Sequence, residues 1–228
     1  MYGSLQKVVI LLAIHRKIFG SKEEWLKHRT RIGGSEASAI IGLNPFMTNI
    51  DLWNIKTGQV VPQDISEKPY VLYGTKAEEH LRALFALDFP QYEVEYFGDN
   101  MILNDDYPFA AASLDGELTE KETGRKGILE IKTTNILQSM QKEKWKDRLP
   151  DNYFVQVLHY LLVTEYEFVV LVAQLKSEFN GEIYKQTKHY KIERADVEDD
   201  IQYLAAEEKK FWKLVQEKKK PNLLLPNI

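Results

Sequence analysis

The sequence predicts a mixed α/β fold in which a central sheet is flanked by helices. Apolar residues recur at helical spacing near both ends of the chain and before its middle. The middle itself consists of short apolar runs separated by turn residues, which is typical of strands. A further helical segment and a further strand follow. This order of helices, a run of strands, a helix and a strand indicates a mixed sheet covered by helices.

The composition limits the kinds of chemistry that are open to the chain. Its 228 residues are 44% hydrophobic and 28% charged, which is ordinary for a globular protein, and the length predicts one domain over residues 1–228. The absence of cysteine excludes disulfides, thiolate nucleophiles, cysteine zinc sites and iron–sulfur clusters. The net charge of −4 gives no overall sign of nucleic-acid binding, although a local basic groove would be enough for it.

Helix signals dominate the first 90 residues. Ser21 followed by Glu24 has the form of a capping box and predicts a helix that begins there. Shorter helices are predicted at residues 37–42 and 50–58. Apolar spacing predicts a helix over residues 73–87, which ends before Phe89-Pro90 because the residue preceding proline avoids helical geometry. The apolar run at residues 8–14 is too short to span a membrane and is interpreted as a buried strand, a helix or an extension that packs on a neighbour.

The second part of the chain alternates between predicted strands and helices. Strands are predicted at residues 92–97, 101–103, 110–118, 126–134 and 168–175, and an edge strand or hairpin arm at 184–192. Helices are predicted at residues 142–148, 153–163 and about 196–219. His159 lies in an apolar stretch of the second of these helices and is interpreted as a core residue.

Three charged residues stand out among the predicted strands. Asp115 lies at a turn, and Glu130 and Lys132 lie two residues apart on the strand that follows. Because residues two apart in a strand point to the same face, Glu130 and Lys132 should project together, away from the core. Carboxylate oxygens suit a hard cation such as Mg²⁺, and a lysine can orient and deprotonate a water for phosphodiester hydrolysis. An exposed ion pair on a strand face is the alternative.

Two predicted helices add polar residues that would serve the same site. Glu78 on the helix over residues 73–87 would complete a metal cage, or is an ordinary surface residue. Tyr153, Gln156 and Tyr160 share one face of the later helix. They form either a gate that holds a substrate phosphate or a metal ligand, or a polar seam at the edge of the core.

Arg29, Ser35 and Ser113 are hydrogen-bond donors near predicted turns. An arginine guanidinium binds phosphate through two parallel hydrogen bonds. The pair Gly33-Gly34 allows close approach of the backbone, and a helix beginning near Ser35 presents free N–H groups to an anion. The alternative is an ordinary turn with a serine at the helix N-cap.

These motifs occur in a characteristic order. They are Trp25-x-x-x-Arg29, Gly33-Gly34-Ser35-Glu36, Asn44-Pro45-Phe46, Gly74-Thr75-Lys76-Ala77-Glu78, Ser113-Leu114-Asp115-Gly116, Leu129-Glu130-Ile131-Lys132 and Tyr153-x-x-Gln156. Together they resemble the YqaJ-like viral recombinase nucleases, the family that includes the bacteriophage lambda exonuclease. The resemblance covers about residues 23–175, and several motifs in order are far more specific than any one of them.

The resemblance implies a restriction-endonuclease-like core of the PD-(D/E)xK type and a Mg²⁺-dependent DNA exonuclease, with Mn²⁺ as a substitute. Metal binding would fall to Asp115, Glu130, the backbone carbonyl of Ile131 and Glu78, the last directly or through water. Lys132 would position and activate the attacking water, and Gln156 would support the site from its helix.

By the same resemblance, the 5′-phosphate and the DNA would be bound by Arg29, Ser35, Ser113 and Tyr153. The usual proline before the first acid is Leu114 here, which changes the stiffness of the turn more than its chemistry. Some relatives carry another acid upstream, but Asp105 and Asp106 also read as a plain turn and are left outside the predicted site.

The resemblance also implies partners and a setting. The substrate would be double-stranded DNA ends, digested in the 5′→3′ direction during phage-type recombination. The protein would form a homo-oligomer, such as a ring-shaped trimer, work with a single-strand annealing protein, have no membrane association, and act in the cytoplasm of a bacterial host as a phage or prophage product. Two alternatives stay open: an endonuclease or nickase of the same superfamily, and a non-catalytic DNA-binding or assembly protein with the same fold.

Overall fold

A computed structural model of the chain describes residues 13–136 and 142–225. Its helices are α1 Lys22–His28, α2 Gly34–Ile40, α3 Asn49–Lys56, α4 Pro69–Asp88, α5 Asp151–Thr164 and α6 Glu198–Gln216. Its strands are β1 Ile14–Ile18, β2 Ile32–Gly33, β3 Tyr92–Glu95, β4 Asn100–Asn104, β5 Ala110–Ala112, β6 Gly116–Glu120, β7 Lys126–Asn135, β8 Phe168–Phe179 and β9 Glu182–Glu193. In this described part, no helix is both long and apolar enough to cross a membrane.

The strands form two sheets. The smaller sheet has the order β1-β4-β5-β2, and the larger has the order β3-β6-β7-β8-β9. In the larger sheet β7 and β8 are parallel, whereas its other neighbouring pairs are antiparallel. Helix α5 supplies the crossover that a parallel pair requires. The predicted mixed fold with helices on a central sheet is therefore confirmed, with a second, smaller sheet in addition.

The larger sheet separates two apolar layers, and β8 contributes to both because its side chains alternate between faces. Val170 and Val172 pack with Leu81 and Phe85 of α4. Leu171 and neighbouring odd-numbered residues of β8 belong to the main core, together with α5 and α6. Helix α4 thus covers one face of the sheet, and α5 and α6 cover the other.

The predicted strand at residues 110–118 is in fact two strands in different sheets. β5 ends at Ala112 and β6 begins at Gly116, so the three residues between them carry the chain from the smaller sheet to the larger. Ser113 fixes this crossing, since its hydroxyl donates to the backbone oxygen of Asn100 at 2.7 Å. Leu114 is buried in the main core. The sequence placed Asp115 at a turn, but the alternating apolar pattern of Ala112, Leu114 and Leu118 continues across it, so the change of sheet was not predicted.

A buried polar pair joins α5 to α6. Nδ1 of His159 lies 2.7 Å from Glu208 Oε1, and its Nε2 lies 3.1 Å from the backbone oxygen of Ala111. Burial alone would lower the pKa of His159, but the charge of Glu208 and the hydrogen bonds outweigh it, so the pKa is raised. The interpretation of His159 as a core residue is confirmed. Glu208 was not predicted to be buried, because a charged residue on a helix is expected at the surface.

Several boundaries differ from the prediction. Helix α4 begins at Pro69 rather than at residue 73, and β8 extends to Phe179 rather than to residue 175. Of the helix predicted at residues 142–148, residues 144–148 are turns and bends. There Lys188 Nζ and the Tyr190 hydroxyl of β9 donate to the backbone oxygen of Trp145, which would otherwise serve a helical ladder. The last helix begins at Glu198, after a 3₁₀ turn at Arg194–Asp196. Of the apolar run at residues 8–14, residues 8–12 lie outside the described residues, and Ile14 begins β1.

Candidate functional site

The candidate site lies where β6 begins, beside the middle of β7. The ladder between these strands runs as far as the pair Gly116–Leu129. Beyond it, the backbone N–H of Ile131 donates to Asp115 Oδ2 at 2.8 Å, so a side chain takes the place of a ladder partner. The N–H and C=O of one strand residue point to the same edge. The carbonyl of Ile131 therefore faces the same opening as the Asp115 carboxylate.

Glu130 and Lys132 project to the same face of β7, as their spacing predicted, but this face is turned toward α5 and the main core rather than away from the core. Lys132 Nζ lies 2.6 Å from Glu130 Oε1, and Gln156 Nε2 of α5 donates to the same oxygen at 2.7 Å. Leu129 and Ile131 are buried on the opposite face, with α4. Because Glu130 is only 1% exposed, the ion pair is an internal one rather than the exposed pair of the alternative interpretation.

The second oxygen of Glu130 lacks a hydrogen bond within the described part of the chain. Oε2 is buried and accepts none from residues 13–136 or 142–225. A buried carboxylate oxygen that has lost water without gaining a partner carries a substantial free-energy cost, which a cation would remove. A cation bound to this oxygen would supply the missing partner.

Glu78 reaches the same region from α4. It lines a cavity of about 200 Å³, here called the central cavity, whose wall also includes Ile131, Lys132 and Thr133. Burial and the negative charge of Asp115 raise the pKa of Glu78 to about 7. On the next turn of α4, Arg82 Nε donates to the backbone oxygen of Asp115 at 2.6 Å and ties the helix to the turn.

Burial raises the pKa of all three acids, and neighbouring acids add to this for Glu130 and Glu78. Burial, followed by the charge of Asp115, raises the pKa of Glu130 to about 8. Burial also raises the pKa of Asp115, although Lys132 and the N–H of Ile131 oppose this. Burial alone would lower the pKa of Lys132, but Glu130 and Asp115 raise it instead. Such a cluster gains stability from added positive charge.

The donors fit a hard divalent cation. They are carboxylate and carbonyl oxygens, the ligands that Mg²⁺ prefers, and one of them is the unpartnered Glu130 Oε2. Over residues 13–136 and 142–225, no group of three acidic or histidine side chains already stands at metal-ligand spacing. Glu130 Oε1 is already bonded to Lys132 and Gln156. These contacts occupy one of the carboxylate oxygens that would otherwise bind the metal.

The predicted phosphate-binding residues Arg29, Ser35 and Ser113 lie together. They line a cavity of about 50 Å³, here called the Arg29 cavity, with Trp25 and Arg31. Trp25 Nε1 donates to Ser113 Oγ at 3.2 Å, and the Arg29 guanidinium lies 4.8 Å from the centre of the Trp25 ring. Neither Trp25 nor Arg31 was assigned to the site from the sequence; for Trp25, its place in the first of the ordered motifs was the available signal.

Tyr160 links the Arg29 cavity to Gln156. Its ring lines the Arg29 cavity, and its hydroxyl accepts a hydrogen bond from Gln156 Nε2 at 2.9 Å. Gly34 makes room for the ring, since a Cβ at that position would lie 2.5 Å from Tyr160 Cε1. A continuous path of contacts therefore leads from the Arg29 cavity through Tyr160 and Gln156 to Glu130.

Tyr153, Asp105 and Asp106 lie elsewhere. The ring of Tyr153 is 5.3 Å from Lys132 Nζ and packs on Trp145, so Tyr153 stands beside the acids rather than in the Arg29 cavity. Asp105 and Asp106 form a turn after β4, where the nearest ionic group to Asp105 is His15 at 3.9 Å. The structure thus gives these two acids no part in the site.

The chain matches a known family. The YqaJ-like viral recombinase domain matches residues 24–167. An uncharacterized protein YqaJ from Bacillus subtilis (strain 168) is 34% identical over 200 residues, which cover 84% of this chain and 56% of the relative. The match therefore spans little more than half the length of that curated relative.

Two solved structures share the fold. An alkaline exonuclease from Laribacter hongkongensis superposes with a TM-score of 0.63 at 18% identity, covering 86% of this chain and 94% of the other. A phage-related exonuclease from Haemophilus somnus 129PT superposes with a TM-score of 0.50 at 14% identity, covering 82% and 96%. At such identities the likeness shows the fold alone. This protein is a member of the YqaJ-like viral recombinase domain family with a restriction-endonuclease-like fold.

Proposed function

We propose that the chain is a divalent-metal-dependent DNA exonuclease that hydrolyses phosphodiester bonds from duplex ends in the 5′→3′ direction. The observation that carries the proposal is the contact path from the Arg29 cavity through Tyr160 and Gln156 to Glu130. This path joins the Arg29 cavity, which would bind a terminal phosphate, to the acids that would carry out hydrolysis. An endonuclease cuts internally, so it needs the acids but not a cavity for a terminal phosphate.

The cation would be Mg²⁺, with Mn²⁺ as a substitute. Asp115, Glu130 through Oε2, and the carbonyl of Ile131 would hold it, with Glu78 as a further ligand directly or through water. When bound, it would stabilise the charge that develops on the scissile phosphate and make water more acidic. The buried, unpartnered Oε2 is the observation that supports this assignment.

Lys132 would act on the attacking water. Its ammonium is held at 2.6 Å by Glu130 Oε1, so it has a defined position at the wall of the central cavity. From there the ammonium can donate a hydrogen bond that orients a water toward a phosphate and stabilises the hydroxide as it forms. Gln156 would keep the Glu130 carboxylate in one orientation through its own hydrogen bond. Tyr153, beside Lys132, would border the DNA.

The Arg29 cavity would receive the 5′-phosphate. Its volume of about 50 Å³ is small, and its donors include the guanidinium of Arg29 and the hydroxyls of Ser35 and Ser113. Such donors match the oxygens of a phosphate. The Laribacter exonuclease has a structure in complex with dAMP. A nucleoside 5′-monophosphate is the product class that we propose for this chain.

The test compares DNA ends and DNA forms. Linear duplex DNA, labelled at either end and carrying a 5′-phosphate or a 5′-hydroxyl, is incubated with the protein and Mg²⁺ or Mn²⁺. We expect metal-dependent loss from the 5′-phosphorylated end. Nicking or cutting of closed circular DNA would favour the endonuclease alternative, and no cleavage of any form would favour the non-catalytic alternative. The homo-oligomer and the annealing protein implied by the family stay predictions.

A further inference from the structure

A second groove opens beside the central cavity. It has a volume of about 240 Å³ and lies between the first turn of α4 and the carboxyl ends of β7 and β8. Its walls include Tyr70, Tyr73, Asn135 and Lys176, and we call it the Tyr70 groove. Thr133 borders both this groove and the central cavity, so the two are neighbours along β7.

The two tyrosines of the groove differ in how firmly their side chains are held. Tyr73 is fixed, because its hydroxyl donates to Gln174 Oε1 at 2.5 Å and Lys176 Nζ stands 3.5 Å above the centre of its ring. Tyr70 is 58% exposed and belongs to none of the apolar clusters of the core. A large ring left open at the mouth of a polar groove offers a flat surface on which a planar group can stack.

The β8–β9 hairpin adds positive charge on the same face. Lys176 is paired directly with Lys185 of β9, and directly paired residues of antiparallel strands point to one face. His189 of β9, on that face, packs against Phe89, next to the end of α4, with ring centres 4.9 Å apart. The two lysines therefore lie on the α4 side of the sheet, where the Tyr70 groove is.

A bound anion would stabilise this pair of lysines. Like charges placed directly opposite each other in a sheet destabilise it. Tyr73 relieves the charge of Lys176 in part through its ring, but Lys185 is exposed and has no such partner among the described residues. Glu178, two residues beyond Lys176, marks the outer end of this positive patch. A phosphate between the two ammonium groups would remove their repulsion.

We propose that the Tyr70 groove is a subsite for an unpaired nucleotide of the DNA strand that passes through the central cavity. The base would stack on Tyr70, and the adjoining phosphate would lie near Lys176 and Lys185. Stacking on a protein ring requires a base that has left its duplex, so the occupant is single-stranded. Because Thr133 borders both the Tyr70 groove and the central cavity, the unpaired nucleotide would belong to the strand that is cut. This inference rests on the proposed exonuclease.

The experiment measures binding apart from cleavage. A fluorescent single-stranded oligonucleotide is titrated with the protein in EDTA, where a metal-dependent nuclease is silent. The variants are Tyr70→Ala and Lys185→Ala, which remove exposed side chains. Matched controls on α6, at the other face of the sheet, are Tyr203→Ala, equally exposed at 58%, and Lys213→Ala. Thermal unfolding checks that every variant is folded.

The expected result is about tenfold weaker binding for Tyr70→Ala, the size of one lost base-stacking contact. Lys185→Ala should weaken binding and lower the salt dependence by about one phosphate contact. In cleavage, both should raise KM more than they lower kcat, and both controls should match the unaltered protein. Unchanged binding by Tyr70→Ala and Lys185→Ala would overturn the subsite alone. Absence of cleavage by the unaltered protein would instead overturn the proposed exonuclease.

Discussion

Gln156 holds Glu130 by a hydrogen bond of 2.7 Å from its Nε2 to the carboxylate Oε1. Both side chains are buried, so the bond is shielded from competing water. It leaves Oε2 as the one oxygen of Glu130 that faces the site without a partner. The orientation of this carboxylate is therefore set from α5, and we expect the activity to depend on it.

Gln156→Leu should lower the rate of DNA cleavage by about 10- to 100-fold, the usual effect of losing a group that orients a metal ligand. Leucine keeps most of the volume but cannot donate to Glu130. The same change should raise the Mg²⁺ concentration required for half-maximal rate. A metal titration of the cleavage rate measures both. An unchanged Mg²⁺ requirement together with a normal rate would show that the bond does not serve the site.

Arg29→Ala should remove the preference for phosphorylated ends. The rate on a 5′-phosphorylated duplex should fall by at least about tenfold, toward the rate on a 5′-hydroxyl duplex, because a charged donor to the phosphate is lost. The rate on the 5′-hydroxyl substrate should change little. Lys213→Ala is the control for loss of a positive charge, since that side chain is 73% exposed on α6 and lines neither cavity. Equal losses on both substrates would contradict a phosphate-specific role.

Gly34→Ala should damage the protein through Tyr160. The new methyl group would lie 2.5 Å from the ring, so either the ring or α2 must move. We expect a loss of about 1–3 kcal/mol in the free energy of unfolding, typical of overpacking, and a loss of cleavage. Gly98→Ala is the control, because its nearest neighbour would lie 4.0 Å away. Urea unfolding compares the free energies of unfolding of the two variants. Equal values would show that the Tyr160 ring can move aside without loss of stability.

Glu130 should make the metal-free protein less stable as the pH rises. Its pKa is about 8 in the folded protein, against 4.5 for the ordinary group. The folded state therefore binds more protons than the unfolded state between these values, and the stability present below 4.5 is lost as the pH rises toward about 8. In EDTA, Glu130→Gln should reduce this loss. Mg²⁺ should stabilise the unaltered protein more at the upper end of the range than at the lower.

Thermal unfolding over this pH range, with and without Mg²⁺, provides the comparison. Carboxylates outside the site contribute equally to both proteins, so the difference between the unaltered protein and Glu130→Gln reports Glu130 together with the neighbours whose pKa it shifts, Asp115 and Lys132. Identical pH profiles would mean that Glu130 is ionised at ordinary pH despite its burial.

Glu208→Ala should destabilise the fold without entering the site chemistry. Glu208 and His159 are both fully buried and 2.7 Å apart, so removing one partner leaves the other without its counter-charge. A loss of about 3–5 kcal/mol in the free energy of unfolding is expected. Because the pKa of His159 is raised, the contribution of the pair should be present below pH 6.5 and be lost as the pH rises through the folded value. Urea unfolding of both proteins across that range measures it.

The sequence predicted what depends on local periodicity. The face shared by Glu130 and Lys132 follows from the two-residue repeat of a strand, and the opposite, buried face of Leu129 and Ile131 follows with it. The α4 helix followed from apolar spacing and ended at Asp88, before the proline as expected. These features are fixed by neighbours along the chain, so the sequence alone contains them.

What could not be predicted depends on contacts between distant residues. The contact between Gly34 and Tyr160 joins residues far apart in the chain, and no local pattern reports it. The sequence signals a turn at Asp115, but not that the chain changes sheets after Ala112, because Leu114 continues the alternating apolar pattern. The grouping of Arg29, Ser35 and Ser113 came from family resemblance rather than from spacing.

The most direct test of the central claim is the release of mononucleotides from a 5′-phosphorylated linear duplex in Mg²⁺. The unaltered protein and Lys132→Ala are compared at equal concentration, after thermal unfolding has shown both to be folded. The account predicts progressive release of nucleoside 5′-monophosphates by the unaltered protein and none above background by Lys132→Ala. Equal release by both proteins, or none by the unaltered protein in Mg²⁺ or Mn²⁺, would contradict it.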